Sequence, residues 1–322
     1  MAEEIYPGIY RAILPLPRNP LKAINSYIIP GDDRNLIVDT GMNRPECREV
    51  LDRELEMIGI DPSSTDVFVT HMHADHLGLA PHITKGETTV FMGKEDIAVI
   101  DDGEYWRKML KYAVMNGFPN LNPYEAIKKH PGYKYGPLGT MNLKSLEGGE
   151  RIEVGDFDFT TIHTPGHSSG HMCLYDRGRK LLFSGDHILE SITPNVSLWS
   201  EEEDHLSDYI KSLQKVRRFN ISIALPGHRD MIRNVKERID ELIIHHQERA
   251  QEVLSIIGDR EMDALSIASE MTWDMSYESF QDFPIMQKWF ALGESIAHIR
   301  YLERGGKVRR RFSKGIIRYH SK

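Results

Sequence analysis

The segment HMHADHL, residues 71–77, follows directly on the apolar run DVFVT, residues 66–70. Three imidazoles and one carboxylate, His71, His73, His76 and Asp75, therefore fall within six consecutive positions at the end of a β-branched and aromatic stretch. Such a stretch reads as a buried strand, and the following LGLAPHI reads as the start of a helix. This placement constrains the fold. Layered α/β proteins keep their chemistry at the carboxyl ends of strands, where loops are free of packing duties and several ends converge on one crevice. Histidines also occur as caps and half-buried structural residues, so the rest of the chain has to decide between these readings.

The remaining pattern argues for α/β layering. GIYRAIL, INSYIIP and RNLIVDT read as strands, PECREVLDRELEMIGI as a helix with Leu51, Leu55 and Ile58 on one face, and TTVFMGKED as a further strand. Residues 97–138, rich in Tyr, Met, Pro and Lys, contain helical stretches but no strand and read as an insertion, either a plain surface excursion or a lid over a pocket. Strands resume with the hairpin RIEVGDFDFTTIHT, then GHMCLYDRGRKLLFSGD with a turn at DRGR, then NISIALPGH. Between the last two, DHLSDYIKSLQKVRRF is an amphipathic helix.

Each later strand end carries a further potential ligand: His167 in TPGHSSGH, Asp186 in FSGDHI and His228 in LPGHRD. Glycine precedes each of them, which allows a tight turn and a close backbone approach. Imidazole nitrogen with carboxylate oxygen suits borderline divalent ions, and five His with two Asp suffice for two ions sharing one carboxylate. With HxHxDH, TPGHSSGH, SGD and PGH in this order over roughly residues 20–245, the chain resembles the metallo-β-lactamase superfamily, in its glyoxalase II-like branch. The resemblance implies a four-layer αββα sandwich with the metals at one edge of two sheets. It implies that His71, His73 and His167 hold one ion, that Asp75, His76 and His228 hold the other, and that Asp186 bridges them. Zinc is the first expectation, with iron or manganese as alternatives. A water or hydroxide bridging two such ions would be the nucleophile of a hydrolase, with Asp75 free to orient or deprotonate water if only one ion binds. His171 reads as a hydrogen-bonding partner of a ligand, and His187 as a residue that lines the pocket or points away.

From about residue 246 the pattern is helical, ending in KVRRRFSKGIIRYH, two strand-like runs about an SKG turn. Three helices and a hairpin suggest a small winged-helix-like domain over 246–322, behind a catalytic domain over 1–245. This resembles superfamily members with a C-terminal winged helix, some of which cleave RNA. The cluster Arg304, Lys307, Arg309, Arg310 and Arg311 falls where a wing would begin. Few basic residues remain on the helix before it, and the formal net charge of the 322-residue chain is −8, so nucleic acid is the less favoured partner. The favoured substrate is a small molecule with an ester, thioester or lactone bond. The first rival is a metal-dependent endoribonuclease on single-stranded RNA, and the second a non-catalytic descendant that binds or regulates. A homodimer is a candidate assembly. Only two cysteines, Cys47 and Cys173, occur and in no ligand spacing, which fits a reducing, cytoplasmic setting. No leader-like or membrane-spanning stretch is expected.

Overall fold

Alternation along the strands decides the layering. The computed structural model describes residues 2–119, 127–274 and 277–322. Its first sheet orders β1 (Glu3–Tyr6), β2 (Ile9–Pro15), β3 (Ala23–Ile29), β4 (Asn35–Val38), β5 (Thr65–Phe68), β6 (Val90–Gly93) and β7 (Leu143–Leu146) side by side. The strands run antiparallel from β1 to β4 and parallel from β4 to β7. The second sheet holds β8 (Arg151–Val154), β9 (Phe157–His163), β10 (Met172–Asp176), β11 (Leu181–Gly185) and β12 (Ile223–Pro226), in the order β12-β11-β10-β9-β8.

Successive side chains of a strand point to opposite faces, and the cores follow that rule. On β3, Tyr27 and Ile29 join a core between the sheets, while Ile24 and Ile28 join a core on the outer face. On β10, Met172 and Leu174 face the inter-sheet core, while Cys173 and Tyr175 face away. The outer core of the first sheet is closed by α1 (Pro45–Ile58), α2 (Ala74–Leu77), α3 (Ala80–Ile83) and α4 (Lys94–Asp101). Helix α1 buries Leu51 and Leu55 and ends at Gly59, whose φ of 82° accommodates the left-handed C-cap. The fold is therefore an αββα sandwich.

The outer core of the second sheet gathers more. The insertion supplies α5 (Tyr105–Met115) and α6 (Pro131–Lys134), and the first of these packs into it. The same core takes in α7 (His205–Val216), α8 (Val235–Ile257), α9 (Ala264–Glu270), α10 (Ile285–Arg304) and the antiparallel hairpin β13 (Val308–Ser313) with β14 (Ile316–Ser321). One hydrophobic cluster runs from Ile162 and Cys173 on the sheet to Val308 and Ile317 on the hairpin. Helix α8 passes unbroken through residues 245 and 246. Insertion and hairpin also meet directly, where the Tyr319 hydroxyl donates to Asn116 Oδ1 at 2.7 Å.

Two local expectations are corrected. The strand expected through KED stops at Gly93, and α4 begins there. Glu95 and Asp96 lie in its first turn, where the amide end of a helix favours negative charge. The edge strand β1 was not anticipated, because a short half-exposed segment such as EEIY carries little apolar alternation. Of the insertion expected over 97–138, residues 120–126 lie outside the described residues.

Candidate metal centre

Every candidate ligand sits just past a strand. His71, His73, Asp75 and His76 follow β5, with the last two on the one-turn helix α2; His167 follows β9, Asp186 follows β11 and His228 follows β12. The sheets are joined along this edge: Met172 N donates to Thr70 O at 2.8 Å, and Asn25 N donates to Gly227 O at 2.7 Å. Two glycines make room. Gly166 adopts φ 141°, and a Cβ there would stand 2.4 Å from Tyr209 Cα. A Cβ on Gly227 would stand 2.6 Å from Asp186 Oδ1 and 2.7 Å from the His76 ring.

The structure brings all seven residues together. His71 Nε2, His73 Nδ1 and His167 Nε2 form a triangle with edges of 2.9, 3.0 and 3.1 Å. Three ring nitrogens cannot all hydrogen-bond one another, but nitrogens about 2.1 Å from one shared ion stand about 3.0–3.4 Å apart, depending on coordination number. Asp75, His76 and His228 form a second group, with His228 Nε2 3.4 Å from Asp75 Oδ2. Asp186 stands between the two groups: Oδ1 lies 3.5 Å from His76 Nε2, and Oδ2 lies 3.5 Å from His228 Nε2 and 3.7 Å from His167 Nε2.

Four rings are held with a fixed nitrogen facing inward. His76 Nδ1 donates to Asp39 Oδ2 at 2.7 Å, His228 Nδ1 to the Ala23 carbonyl at 2.7 Å, and His167 Nδ1 to the Asn195 carbonyl at 2.7 Å. The Thr70 hydroxyl donates to Asp39 Oδ2 at 2.9 Å and accepts from His71 Nδ1 at 3.1 Å. Each of these bonds leaves Nε2 as the inward lone pair.

Electrostatics differ between the groups. Burial and the neighbouring rings hold His71 well below its usual range and His73 at about 3, and burial also lowers His167. Burial would do the same to His76 and His228, but the carboxylates of Asp39, Asp186 and Asp75 outweigh it and raise both. Burial likewise disfavours charge on Asp75 and Asp186, yet the rings around them bring Asp75 down to about 2 and Asp186 well below the carboxylate range. Among the described residues, His76 Nε2, His228 Nε2 and Asp186 Oδ1 belong to the buried polar atoms without a hydrogen-bond partner, and these three converge. Buried polar atoms need partners. Orphaned, convergent nitrogen and carboxylate donors of this kind fit divalent cations.

Three supporting residues escaped the sequence reading. Asp39, at the end of β4 with φ 60°, accepts from Thr70 N at 2.9 Å as well as from His76. A carboxylate in DTG directly after a strand was the available signal. Asp96 is fully buried and accepts from Met72 N (2.9 Å), Ser168 Oγ (2.7 Å) and Gly170 N (2.7 Å), tying the two ligand loops together. Asn195 acts through its backbone carbonyl, which leaves no mark in a sequence. His171, expected to hydrogen-bond a ligand, turns elsewhere. Its Nδ1 pairs with Thr164 Oγ1 at 2.8 Å, and its ring stacks behind His71 at 5.3 Å. His187 is fully buried and packs on Tyr209 at 5.3 Å, away from the pocket.

The insertion lies beside this centre. Helix α6 packs against α2, and Asn43 N donates to the Tyr135 carbonyl at 3.1 Å. Two basic residues of the C-terminal hairpin are matched by acids: Arg310 pairs with Glu303 at 3.1 Å and Glu201 at 3.7 Å, and Arg311 with Glu261 at 3.7 Å. No helix among the described residues is long and apolar enough to cross a membrane.

Known proteins share this fold. Solved structures of a metallo-beta-lactamase family protein from Thermus thermophilus and of a beta-lactamase domain protein from Burkholderia ambifaria superpose with TM-scores of 0.82 and 0.86, at 26% and 25% identity. They cover 99% and 100% of this chain, and 100% and 94% of their own. An atrochrysone carboxyl ACP thioesterase from Emericella nidulans is 26% identical over 78% of this chain, which spans 65% of that relative's length. A beta-lactamase-like protein 2 homolog from Caenorhabditis elegans is 26% identical over 75% of this chain and 68% of its own. The model of the metallo-beta-lactamase-like C-terminal domain matches residues 262–322. The metallo-beta-lactamase superfamily model matches residues 20–228, more than half of the chain, which therefore belongs to that superfamily of hydrolases.

Proposed function

We propose that the protein is a dinuclear metal-dependent hydrolase of an ester, thioester or lactone bond in a small or carrier-borne molecule. The observation that carries this reading is the convergence of seven donors into two groups with the Asp186 carboxylate between them. His71, His73 and His167 would hold one ion, Asp75, His76 and His228 the second, and Asp186 would bridge. Zinc suits this nitrogen-rich set best, with iron or manganese as the alternatives. Ions bound there would supply a nucleophilic water at neutral pH and polarise the substrate oxygen. If only one ion binds, Asp75, brought down to about 2 by the rings of His228 and His76 against the effect of burial, would be free to orient or deprotonate water.

A thioester is the first substrate class to test, since a relative at 26% identity is named an acyl-carrier thioesterase. Helix α6 of the insertion, beside α2, would form part of the wall of the pocket. Residues 246–322 are read as a winged-helix-like unit with a structural role. The ion pairs of Arg310 and Arg311 argue against an RNA-binding wing. Cys47 and Cys173 are buried free thiols pushed up to about 11 and about 12 by burial, which suits a cytoplasmic protein without disulfides. The test is the zinc-, manganese- or iron-loaded protein against thioesters, esters, lactones and single-stranded RNA. Metal-dependent thioester or lactone hydrolysis without RNA cleavage is expected. RNA cleavage, or no hydrolysis with any of the metals, would overturn the proposal.

A further inference from the structure

The third nitrogen of the His71, His73 and His167 triangle is held from the far end of the chain. The acceptor of His167 Nδ1 is the carbonyl of Asn195, in a segment that belongs to neither sheet. That segment lies on α10. Leu198 N donates to the Gly293 carbonyl at 3.1 Å, Asn195 Nδ2 donates to Glu294 Oε2 at 3.4 Å, and Trp199 stacks on Trp289 with ring centres 4.3 Å apart. Ser197 Oγ donates to Asn195 Oδ1 at 2.5 Å, so the Asn195 side chain is fixed from both sides. Glu294 is anchored in turn, with Arg249 of α8 3.6 Å away.

The approach of segment and helix is too close for any side chain at residue 293. A Cβ there would stand 2.6 Å from Ser197 Oγ and 2.6 Å from the Trp199 ring. Glycine inside a helix is otherwise unfavourable, and alanine would serve the helix better. Its presence in the middle of α10 therefore marks a close approach rather than a helical preference.

We propose that Gly293 and Glu294 are positioning residues of the metal centre. By seating the 195–199 segment they hold the Asn195 carbonyl where it fixes the ring of His167, so the C-terminal helix completes a site whose ligands all lie elsewhere. Acceptors behind ligating imidazoles set ring orientation and basicity. The inference rests on the two-ion reading given above.

The experiment is zinc titration of the metal-free full chain against a competing chelator, with melting of the metal-free protein as the control for folding. In Gly293→Ala, affinity for one ion should fall by about 10–100-fold while the other is unchanged and the metal-free melting is preserved. Histidine-selective ¹⁵N NMR of the zinc-loaded protein should show the His167 Nδ1–H, identified by its absence in His167→Ala, losing its protection from exchange. If Gly293→Ala melts early, the Glu294 pair carries the test: Glu294→Ala should weaken the same ion, and Glu294→Gln should restore it. Variants that bind both ions as the wild type does, or that weaken both equally, overturn the inference while leaving the metal centre standing. A wild type that binds no zinc, manganese or iron overturns the metal centre, and this inference with it.

Discussion

His76 and His167 face the same centre and are oriented by the same kind of bond, an Nδ1–H donated to oxygen at 2.7 Å, but the two oxygens have different origins. For His76 the acceptor is a carboxylate, Asp39, at the end of a neighbouring strand. For His167 it is a main-chain carbonyl on a segment that meets α10 through Leu198 N and the Gly293 carbonyl. The difference teaches how the centre is divided. His76 is oriented by a carboxylate from within the first sheet, and His167 by a carbonyl held against the C-terminal unit. Neighbouring charge raises His76 and His228, whereas His71, His73 and His167 are lowered chiefly by burial.

The comparison can be broken at several points. The largest effect is expected where the two groups meet. Asp186→Ala should leave one ion at most and lower hydrolysis by roughly a hundred- to a thousandfold. Elemental analysis of the purified variant checks this, and two ions retained would remove Asp186 from the bridge. Next, Asp39→Ala takes the acceptor directly from His76 and only through Thr70 from His71, so affinity for the ion of the Asp75, His76 and His228 group should fall by about 10–100-fold and that for the other ion by less. Equal weakening of both ions in chelator competition would show that the two groups are not separately oriented.

Asp96→Ala is the mirror case. It removes the acceptor for Met72 N, Ser168 Oγ and Gly170 N, all beside the ligands of the His71, His73 and His167 group. Leaving these donors unpaired should cost about 1–3 kcal/mol in denaturant unfolding. Its effect on metal affinity should fall chiefly on the ion that Asp39→Ala weakens less.

The smallest effect concerns pH. His205 Nδ1 donates to the Ser197 carbonyl at 2.6 Å, and Nε2 lies 3.4 Å from Glu203 Oε2, so the ring helps to seat the 195–199 segment. Burial alone would lower His205, but Glu203 raises it above 6.5, while the bond from His205 brings Glu203 down from 4.5 to about 2. The raised histidine contributes fully below pH 6.5 and loses its contribution as pH rises through its folded value. The lowered carboxylate contributes above pH 4.5 and is lost as pH falls through about 2. The wild type should therefore exceed His205→Gln in stability to denaturant most between these limits, by about 1 kcal/mol or less since Glu203 is half-exposed. An advantage that grows above neutral pH would contradict the pairing.

Much of this was legible before any coordinates. Alternation placed the strands β2, β3, β4 and β5, and Leu51 and Leu55 marked the buried face of α1. The seven candidate ligands stood out because each follows an apolar run and a turn. Asp39 was also written in the sequence, as the carboxylate of DTG after β4, but a lone Asp beside a glycine turn has many ordinary explanations. Asp96 was hidden for a different reason. It lies in the first turn of α4, and only the fold brings that turn against both ligand loops. His171 and His187 were set apart from the ligands, but spacing could not place them, because whether a ring meets a substrate, another ring or the core depends on what packs behind it.

By itself the sequence determined the donor set, the layer pattern and the order of the strand ends, since ligand chemistry and side-chain alternation are properties of residue types at short spacing. Only the tertiary structure decided which oxygen turns each ring, and that the second sheet, part of the insertion and the C-terminal hairpin share one core. Those outcomes rest on main-chain carbonyls and close approaches between distant segments, such as Asn195 with His167 and Gly293 with Ser197, and no residue letter records them.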